Sequence, residues 1–406
     1  MKVLQVNCVY KKGSTGKIVH DIHTELKASG IESVVCYGRG VKIKEPGVYK
    51  TCGEFYSKFN NLLSRITGIM YGGCFFSTNK LIRIIKKEKP DVVHLHCLNG
   101  YFVNIYRLVT WLKKRGIKTV LTLHAEFMHT ANCGHAYGCE KWKTGCGKCP
   151  VFKKETKSIL FDRTATSWRR MKKAFDGFEN ISIVAVSKWI AGRASSSPIL
   201  KGKKVEVIYN GILTENFNSE INFILNNELK KRYGITENKK IVLHVTPSFD
   251  NKIKGGKYFI ELSKILPKEY QCVVIGSKNV ALDNNIISIP FISNQLELAE
   301  FYKMAEVFVI TSLQDNYPTV CLEANCCGTP VVGFDVGGVK ETIFNDMGDV
   351  VPFGDIDALS RVVQKFANEK MLFSNQFIDE CRKRNDKKRM SFEYVELYKR
   401  GYKINK

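Results

Sequence analysis

The sequence lacks an apolar run that approaches the roughly 20 residues needed by a membrane-spanning helix. It also lacks an apolar segment with a cleavage site near Met1, so we expect no secretory leader. Most of its 14 cysteines stand among valine, leucine and isoleucine, which is typical of buried free thiols and not of a secreted disulfide framework. These absences together favour a reducing, cytoplasmic compartment.

The second half of the chain lacks a net charge, because the first half holds all of it. Residues 1–205 contain 37 Lys and Arg against 13 Asp and Glu, whereas residues 206–406 contain 26 of each. A charge this one-sided predicts an anionic partner for the first half. No zinc-finger, helix-turn-helix or RNA-binding signature accompanies it, so we favour the anionic inner face of a membrane over nucleic acid. The alternative is solvated lysine without a partner.

The hydrophobic content of 44% argues against disorder, and 406 residues are too many for one ordinary core. Strand and helix patterns alternate along the chain, which predicts an α/β fold with a parallel, doubly wound sheet in each of two domains. We place the first domain at residues 1–208, with a cysteine-rich insertion near 129–150, and the second at 209–390, followed by a helix at 391–406. The predicted strands lie at 3–10, 34–37, 91–96, 118–123, 183–186, 205–208, 241–245, 272–275, 286–289, 307–310 and 331–334.

The most informative stretch is residues 312–341, where Asp315 and Glu323 are separated by seven residues. Pro318 suits the first turn of a helix, and residues 319–327 read as that helix. Free N–H groups at such a helix start attract a phosphate, and a carboxylate further along accepts hydrogen bonds from sugar hydroxyls. This is the chemistry that holds a nucleotide sugar.

The pattern also resembles the E-x7-E motif of the retaining glycosyltransferases of family four, with Asp315 and Glu323 at the acidic positions. The match is specific because the acids, the helix and the strand come in order in D-N-Y-P-T-V-C-L-E-A-N-C-C-G-T-P-V-V. Two solvated acids on a surface helix are the alternative. The resemblance implies the GT-B fold, in which two Rossmann-like domains face an interdomain cleft and a terminal helix crosses back to the first domain.

The resemblance further implies that the second domain binds the nucleotide-sugar donor. Its donor-binding residues would be Asp315, Asn316, Tyr317, Thr319, Val320 and Glu323, with Glu323 on the ribose hydroxyls and backbone N–H groups toward the sugar and diphosphate. Lys252 and Lys254 resemble the R/K-x-K-G element, which neutralises the leaving diphosphate. Here no arginine precedes them and Ile253 separates them, so Lys254 is the better candidate and a solvated loop is the alternative.

In the first domain, Gly13 and Gly16 lie in a loop before a helix predicted at about 17–28. This loop has neither Walker nor G-x-G-x-x-G spacing, and by itself it indicates only a tight turn. The resemblance implies a glycine-rich loop that faces the cleft and the donor. His124 follows a predicted strand, where polar residues meet ligands in such folds, and the resemblance implies a position near the transferred sugar. The role of Glu126 stays open.

Cys133, Cys139, Cys146 and Cys149 form a local cluster that could hold a structural zinc ion, although the spacing is not that of a standard finger. Two disulfides are the alternative, and are disfavoured in the cytoplasm. The insertion is similar to those of bacterial exopolysaccharide and colanic-acid-type glycosyltransferases. No cofactor is expected for the chemistry, because the lysines can neutralise the diphosphate.

These observations predict a retaining glycosyltransferase with His124, Lys254 and Asp315 as catalytic residues. The expected partners are a nucleotide-sugar donor, a lipid-linked oligosaccharide acceptor and the anionic inner membrane surface, in the synthesis of cell-surface polysaccharide. A sugar-nucleotide epimerase on the same fold, a basic nucleic-acid-binding protein and a sugar-binding regulator are the alternatives.

Overall fold

The computed structural model describes residues 1–277, 285–368 and 373–400. The chain divides into two compact units. The first contains Met1–Tyr209 together with the segment that begins at Met390, and the second contains Asn210–Arg389.

The first unit has, within the described residues, a seven-stranded sheet in which every neighbouring pair is parallel. Its strands are β1 (Lys2–Asn7), β2 (Glu32–Tyr37), β3 (Val48–Lys50), β4 (Val92–Leu95), β5 (Thr119–Leu123), β6 (Ile181–Ala185) and β7 (Val205–Val207), in the order β3-β2-β1-β4-β5-β6-β7. Its helices are α1 (Gly13–Ala28), α2 (Glu54–Thr67), α3 (Phe75–Glu88), α4 (Ile105–Lys114), α5 (Phe127–Thr130), α6 (Phe152–Glu155), α7 (Thr164–Phe175) and α8 (Lys188–Ser195).

Two details of this unit differ from the sequence prediction. Strand β3 has only three residues, too few for an apolar pattern to show. Helix α1 begins at Gly13, four residues earlier than predicted, so Gly13 and Gly16 lie in its first turn and not in a separate loop. The backbone N–H of Lys11 donates to the carbonyl of Gly16 at 3.0 Å, which fixes the start of this helix.

The second unit has a six-stranded parallel sheet in the part of the chain that the structure describes. Its strands are β8 (Lys240–Val245), β9 (Tyr270–Ile275), β10 (Ile286–Ile289), β11 (Val307–Ile310), β12 (Val331–Phe334) and β13 (Gly348–Val351), in the order β10-β9-β8-β11-β12-β13. Its helices are α9 (Phe223–Tyr233), α10 (Gly256–Ile265), α11 (Gln295–Met304), α12 (Thr319–Cys326), α13 (Val339–Thr342), α14 (Ile356–Asn368) and α15 (Asn375–Asn385). The central strands are buried apolar runs, as expected of parallel sheets covered on both faces.

The last helix, α16 (Lys387–Lys399), begins in the second unit and continues in the first. Tyr394 and Tyr398 are buried in a cluster with Val3 and Val92, and the Tyr398 hydroxyl lies 2.6 Å from Nδ1 of His94. The predicted helix at 391–406 therefore starts earlier, and residues 401–406 lie outside the described residues. No described helix is both long enough and apolar enough to cross a membrane.

Candidate functional site

The candidate site of the second unit is built around the loop between β11 and α12. The backbone N–H of Leu313 donates to the carbonyl of Ile253 at 2.8 Å, and the N–H of Gly338 donates to the carbonyl of Asp315 at 2.9 Å. The loop is thus held on one side by the 3-10 turn at Lys252–Lys254 and on the other by the glycine turn after β12. Residues far apart in sequence are fixed around Asp315 by backbone hydrogen bonds.

Two glycines make these close approaches possible. Gly255 has φ +69°, and a Cβ added there would lie 1.8 Å from the carbonyl oxygen of Thr311. Gly337 has φ +60°, and its Cβ would lie 1.9 Å from the carbonyl oxygen of Asp315. Both the backbone conformation and the space exclude any side chain. Gly255, before α10, and Gly337, after β12, therefore allow two turns to pack closely against the loop between β11 and α12.

Lys254 and Asp315 form an ion pair in which Nζ lies 2.6 Å from Oδ2. Both side chains are partly buried, whereas Lys252 in the same turn is exposed. The structure thus distinguishes the two lysines and holds one ammonium group beside the first acidic position. The Lys254 ammonium can still donate to a second anionic group, because the Asp315 carboxylate occupies only one of its three N–H donors.

Helix α12 starts beside this pair with an open N-terminus. Pro318 occupies the N-cap with extended backbone, directly before the helix that begins at Thr319 as predicted, and it has no side-chain oxygen to accept from the first turn. Thr319 and Val320 are half-buried, while the side chains of Asn316 and Tyr317 are buried. The N–H groups at this helix start and the Lys254 ammonium give one region two kinds of anion-binding group.

Glu323 lies within α12 and is only 8% exposed. The hydroxyl of Tyr302, on α11, donates to its Oε2 at 3.0 Å. Burial, followed by the nearby Glu323 carboxylate, raises the pKa of Tyr302 well above its usual value, so the phenol stays protonated and remains a donor. Tyr302 orients the carboxylate, and no signal in the local motif indicated it, because it comes from another helix.

In the first unit, the half-buried His124 is linked to a chain of buried polar groups. Its Nε2 lies 3.1 Å from Nδ1 of His96, and Nε2 of His96 lies 3.1 Å from Oε1 of Gln5. Since the Gln5 amide donates to the Val19 carbonyl, its oxygen must accept from His96, which makes His96 Nδ1 the acceptor of a proton on His124 Nε2. Burial lowers the pKa of His124 to about 4, so the ring is neutral at pH 7.

Glu126, whose role the sequence left open, is a structural residue. Its buried carboxylate lies 2.5 Å from Nε of Arg193 and accepts from the backbone N–H of Ala136 at 2.6 Å. Burial opposes ionisation, but the neighbouring His129, the hydrogen bond from the Ala136 N–H and the charge of Arg193 outweigh it and lower the pKa of Glu126 to about 2. The carboxylate ties the cysteine-rich insertion to α8.

This shift predicts a pH dependence of stability. The folded pKa lies below the ordinary 4.5, so ionised Glu126 stabilises the fold above pH 4.5, and that contribution disappears as the pH falls toward 2. We expect Glu126→Gln to lower the free energy of unfolding by about 3 kcal/mol at pH 7, and by less as the pH falls through this window. Urea unfolding of both proteins from pH 7 to pH 3 measures it. The exposed Glu179→Gln is the control, and a wild-type–variant difference independent of pH would contradict the assignment.

Comparisons with known proteins identify the family of this chain. Residues 15–216 match the family described as Glycosyltransferase Family 4, and residues 226–384 match the family described as Glycosyl transferases group 1. The chain is a family-four glycosyltransferase. It is 24% identical over 368 residues to the Escherichia coli K12 protein WcaC, a putative glycosyl transferase of colanic acid biosynthesis. The alignment covers 86% of this chain and 87% of WcaC.

Solved structures confirm the GT-B fold of this glycosyltransferase. WaaG, a glycosyltransferase involved in lipopolysaccharide biosynthesis, superimposes with a TM-score of 0.67 at 14% identity over 98% of this chain and 99% of its own. The Anabaena protein HepE in complex with UDP-glucose gives 0.66 at 14% identity, again over 98% and 99%. Neither an epimerase nor a nucleic-acid-binding protein is supported by these relatives.

The zinc site that the cysteine spacing suggested is not preformed among the described residues of this glycosyltransferase. Among the described residues, which include all four cysteines, no three His, Cys, Asp or Glu side chains are grouped as a metal ion requires. Cys133 instead packs with Ala136 and Trp142 in a small apolar cluster, with Cys146 against it. The Trp142 indole donates to the Cys139 carbonyl at 2.8 Å. Trp142 thus packs within this insertion and is also hydrogen-bonded to it.

Proposed function

We propose that this glycosyltransferase binds a nucleotide-sugar donor in its second unit and transfers the sugar with retention of anomeric configuration. The observation that carries the proposal is the Lys254–Asp315 pair beside the open start of α12. A nucleoside diphosphate is the ligand that needs a fixed cation and unpaired backbone N–H groups together.

Each group has a role in this proposal. Lys254 and the N–H groups of Thr319 and Val320 bind the diphosphate and stabilise the charge that develops on it. Glu323, oriented by Tyr302, accepts hydrogen bonds from the ribose hydroxyls. Asp315 positions the Lys254 ammonium and lies toward the sugar. These residues need no metal ion to neutralise the diphosphate.

The transfer step balances without a further reactant. The acceptor oxygen bonds to the anomeric carbon on the face from which the diphosphate leaves, and the bond from that carbon to the phosphate oxygen breaks. The departing phosphate oxygen takes the acceptor proton. We propose that neutral His124 hydrogen-bonds the transferred sugar, with its tautomer fixed by His96. Gly13 and Gly16, in the first turn of α1, are proposed to let the backbone approach a sugar or phosphate closely.

We also propose that the acceptor is a lipid-linked saccharide and that the enzyme acts in polysaccharide synthesis at the inner face of the membrane. The name of WcaC and the lipopolysaccharide role of WaaG support the acceptor class. The excess of 24 positive charges in residues 1–205 supports a peripheral position on anionic lipid.

A thermal-shift screen with UDP-, GDP- and ADP-sugars tests the donor assignment. A ligand at 100 times its dissociation constant stabilises the folded protein by about 2.7 kcal/mol, so one nucleotide class should raise the melting temperature clearly. Incubation with that donor and no acceptor is the control for epimerisation, since it should yield no epimerised donor. The proposal fails if no nucleotide sugar stabilises the protein. Binding of DNA or RNA at physiological salt would then support the nucleic-acid alternative.

A further inference from the structure

Helix α2 of the first unit packs with its polar side inward. Ser57, Asn60 and Ser64 are its buried residues. The Ser57 hydroxyl donates to the Gly100 carbonyl at 2.9 Å, and the Asn60 side-chain oxygen accepts from the backbone N–H of Cys74 at 2.7 Å. These hydrogen bonds fix the rotation of the helix, so its apolar side must face outward.

The outward side is a continuous apolar stripe. Its residues recur at intervals of three and four, which places them on one face of the helix: Phe55, Phe59, Leu62, Leu63 and Ile66. All five are exposed, and Phe55 is 85% exposed. A helix of a soluble unit normally buries such a stripe, so this inverted arrangement indicates a partner that is not part of the described chain.

Two neighbouring segments extend the stripe. Phe76, at the start of α3, is exposed and its ring lies 5.9 Å from that of Tyr56 on α2. At the other end of α2, the backbone N–H of Ile159 donates to the Arg65 carbonyl at 2.8 Å. We use the name apolar patch for the exposed residues of these three segments: Phe55, Phe59, Leu62, Leu63, Ile66, Phe75, Phe76, Ile159, Leu160 and Phe161.

The surroundings of the apolar patch are cationic. Lys58 and Arg65 lie exposed on α2 itself. Phe75 also lines a cavity of about 520 Å³ whose wall carries Arg107, Lys114 and Arg170 and no carboxylate. Within the described residues, none of these three cations forms an ion pair. Apolar side chains next to unpaired cations match the acyl chains and phosphates of an anionic lipid surface.

We propose that the apolar patch docks this enzyme on an anionic phospholipid bilayer, with the α2 stripe between the lipid headgroups and the cations of the cavity on their phosphates. The proposal rests on the proposed peripheral membrane position and specifies the surface responsible for it. A second copy of the chain fits less well, because pairing this surface with itself brings like charges together.

Flotation of the full-length protein with vesicles of equal parts phosphatidylcholine and phosphatidylglycerol tests the proposal. Phe55→Glu combined with Leu62→Glu should weaken vesicle binding at least tenfold. Phe223→Glu combined with Ile224→Glu, on an exposed helix of the second unit, adds the same charge and should leave binding unchanged. The docking surface is refuted if the wild type does not float, or if both double variants bind equally.

A second arm separates charge from apolar contact and from self-association. Arg107→Gln and Arg170→Gln should each weaken binding to these anionic vesicles about fivefold. Sedimentation velocity should show the same mass for the wild type and the Phe55→Glu, Leu62→Glu variant. A wild-type dimer that this variant dissociates, without vesicle binding, would identify a second copy as the occupant and overturn the proposal.

Donor binding distinguishes this inference from the proposed function. The Phe55→Glu, Leu62→Glu variant should show the wild-type thermal shift with the nucleotide sugar, because the apolar patch contains no donor-binding residue. If vesicle binding follows the expectation while no nucleotide sugar binds, the donor assignment fails and the docking surface stands. If the nucleotide sugar binds and the vesicles do not, the docking surface is refuted and the donor assignment stands.

Discussion

Replacing Lys254 with methionine should lower the rate of sugar transfer about 100- to 1000-fold while leaving the fold intact. The ammonium group lies 2.6 Å from Asp315 and is the fixed cation at the start of α12. In the proposed mechanism it stabilises the charge that grows on the diphosphate as the glycosidic bond breaks, and removal of one preorganised donor at such a position costs that factor. Release of nucleoside diphosphate in the presence of acceptor measures the rate.

The same substitution should have little effect on stability. Both partners of the pair are partly exposed, so the pair itself contributes at most about 1 kcal/mol after solvent screening. Lys264→Met, at an exposed position in the last turn of α10, is the matched control and should retain the wild-type rate. An unchanged rate in Lys254→Met would remove this lysine from the mechanism, whereas equal losses in both variants would indicate a general effect of charge.

Replacing Glu323 with alanine should weaken donor binding about 100-fold and also destabilise the protein. The carboxylate is proposed to accept two ribose hydroxyls, and hydrogen bonds to a charged group contribute about 1.5–3 kcal/mol each. Its loss also leaves the buried Tyr302 hydroxyl without the partner seen at 3.0 Å, which costs about 1–3 kcal/mol. Isothermal titration with the nucleotide sugar gives the first quantity and urea unfolding gives the second.

Two further variants separate these effects. Glu323→Gln keeps an oxygen for Tyr302 to donate to, so it should retain most of the stability and still lose donor affinity. Tyr302→Phe should show a smaller loss of affinity, because the carboxylate remains but is less well oriented. The exposed Glu261→Gln is the control for charge. Full donor affinity in Glu323→Gln would exclude the ribose contact, and unchanged stability in Glu323→Ala would exclude the Tyr302 contribution.

The elements of the second unit were predictable because their signals are local. Helix α12 ends within one residue of the predicted end, since Gly328 and Pro330 follow it within four positions. The described strands of this unit match the predicted ones, except for β13, whose sequence Gly-Asp-Val-Val contains no continuous buried apolar run. Tyr302 was not predictable, because it reaches Glu323 from another helix and its spacing of 21 residues corresponds to no motif.

In the first unit, local sequence patterns did not predict contacts between segments that are distant in the chain. The alternation in V-V-H-L-H places His94 and His96 on the same side of a strand, and this was the available signal for a chain of histidines. The hydrogen-bond partner of His96 is Gln5, which comes from β1 and could not be predicted from that pattern. The periodicity of α2 is typical of a helix but does not show which side of that helix is buried. The buried side is determined by the hydrogen bonds of Ser57 with Gly100 and of Asn60 with Cys74, and both partners lie in other segments.

The position of α16 has a consequence for the order in which the protein forms during synthesis. Tyr394, Leu397 and Tyr398 complete the apolar cluster around Val3 and Val120. When residues up to Tyr209 have left the ribosome, this cluster still lacks the side chains of α16, and it gains them only after residues 210–389 have been synthesised. The segment made in between, Asn210–Arg389, has its own core and can fold first. Domains generally fold as units with the amino-terminal one first, whereas the first unit of this chain can complete its packing only after the second unit has been synthesised.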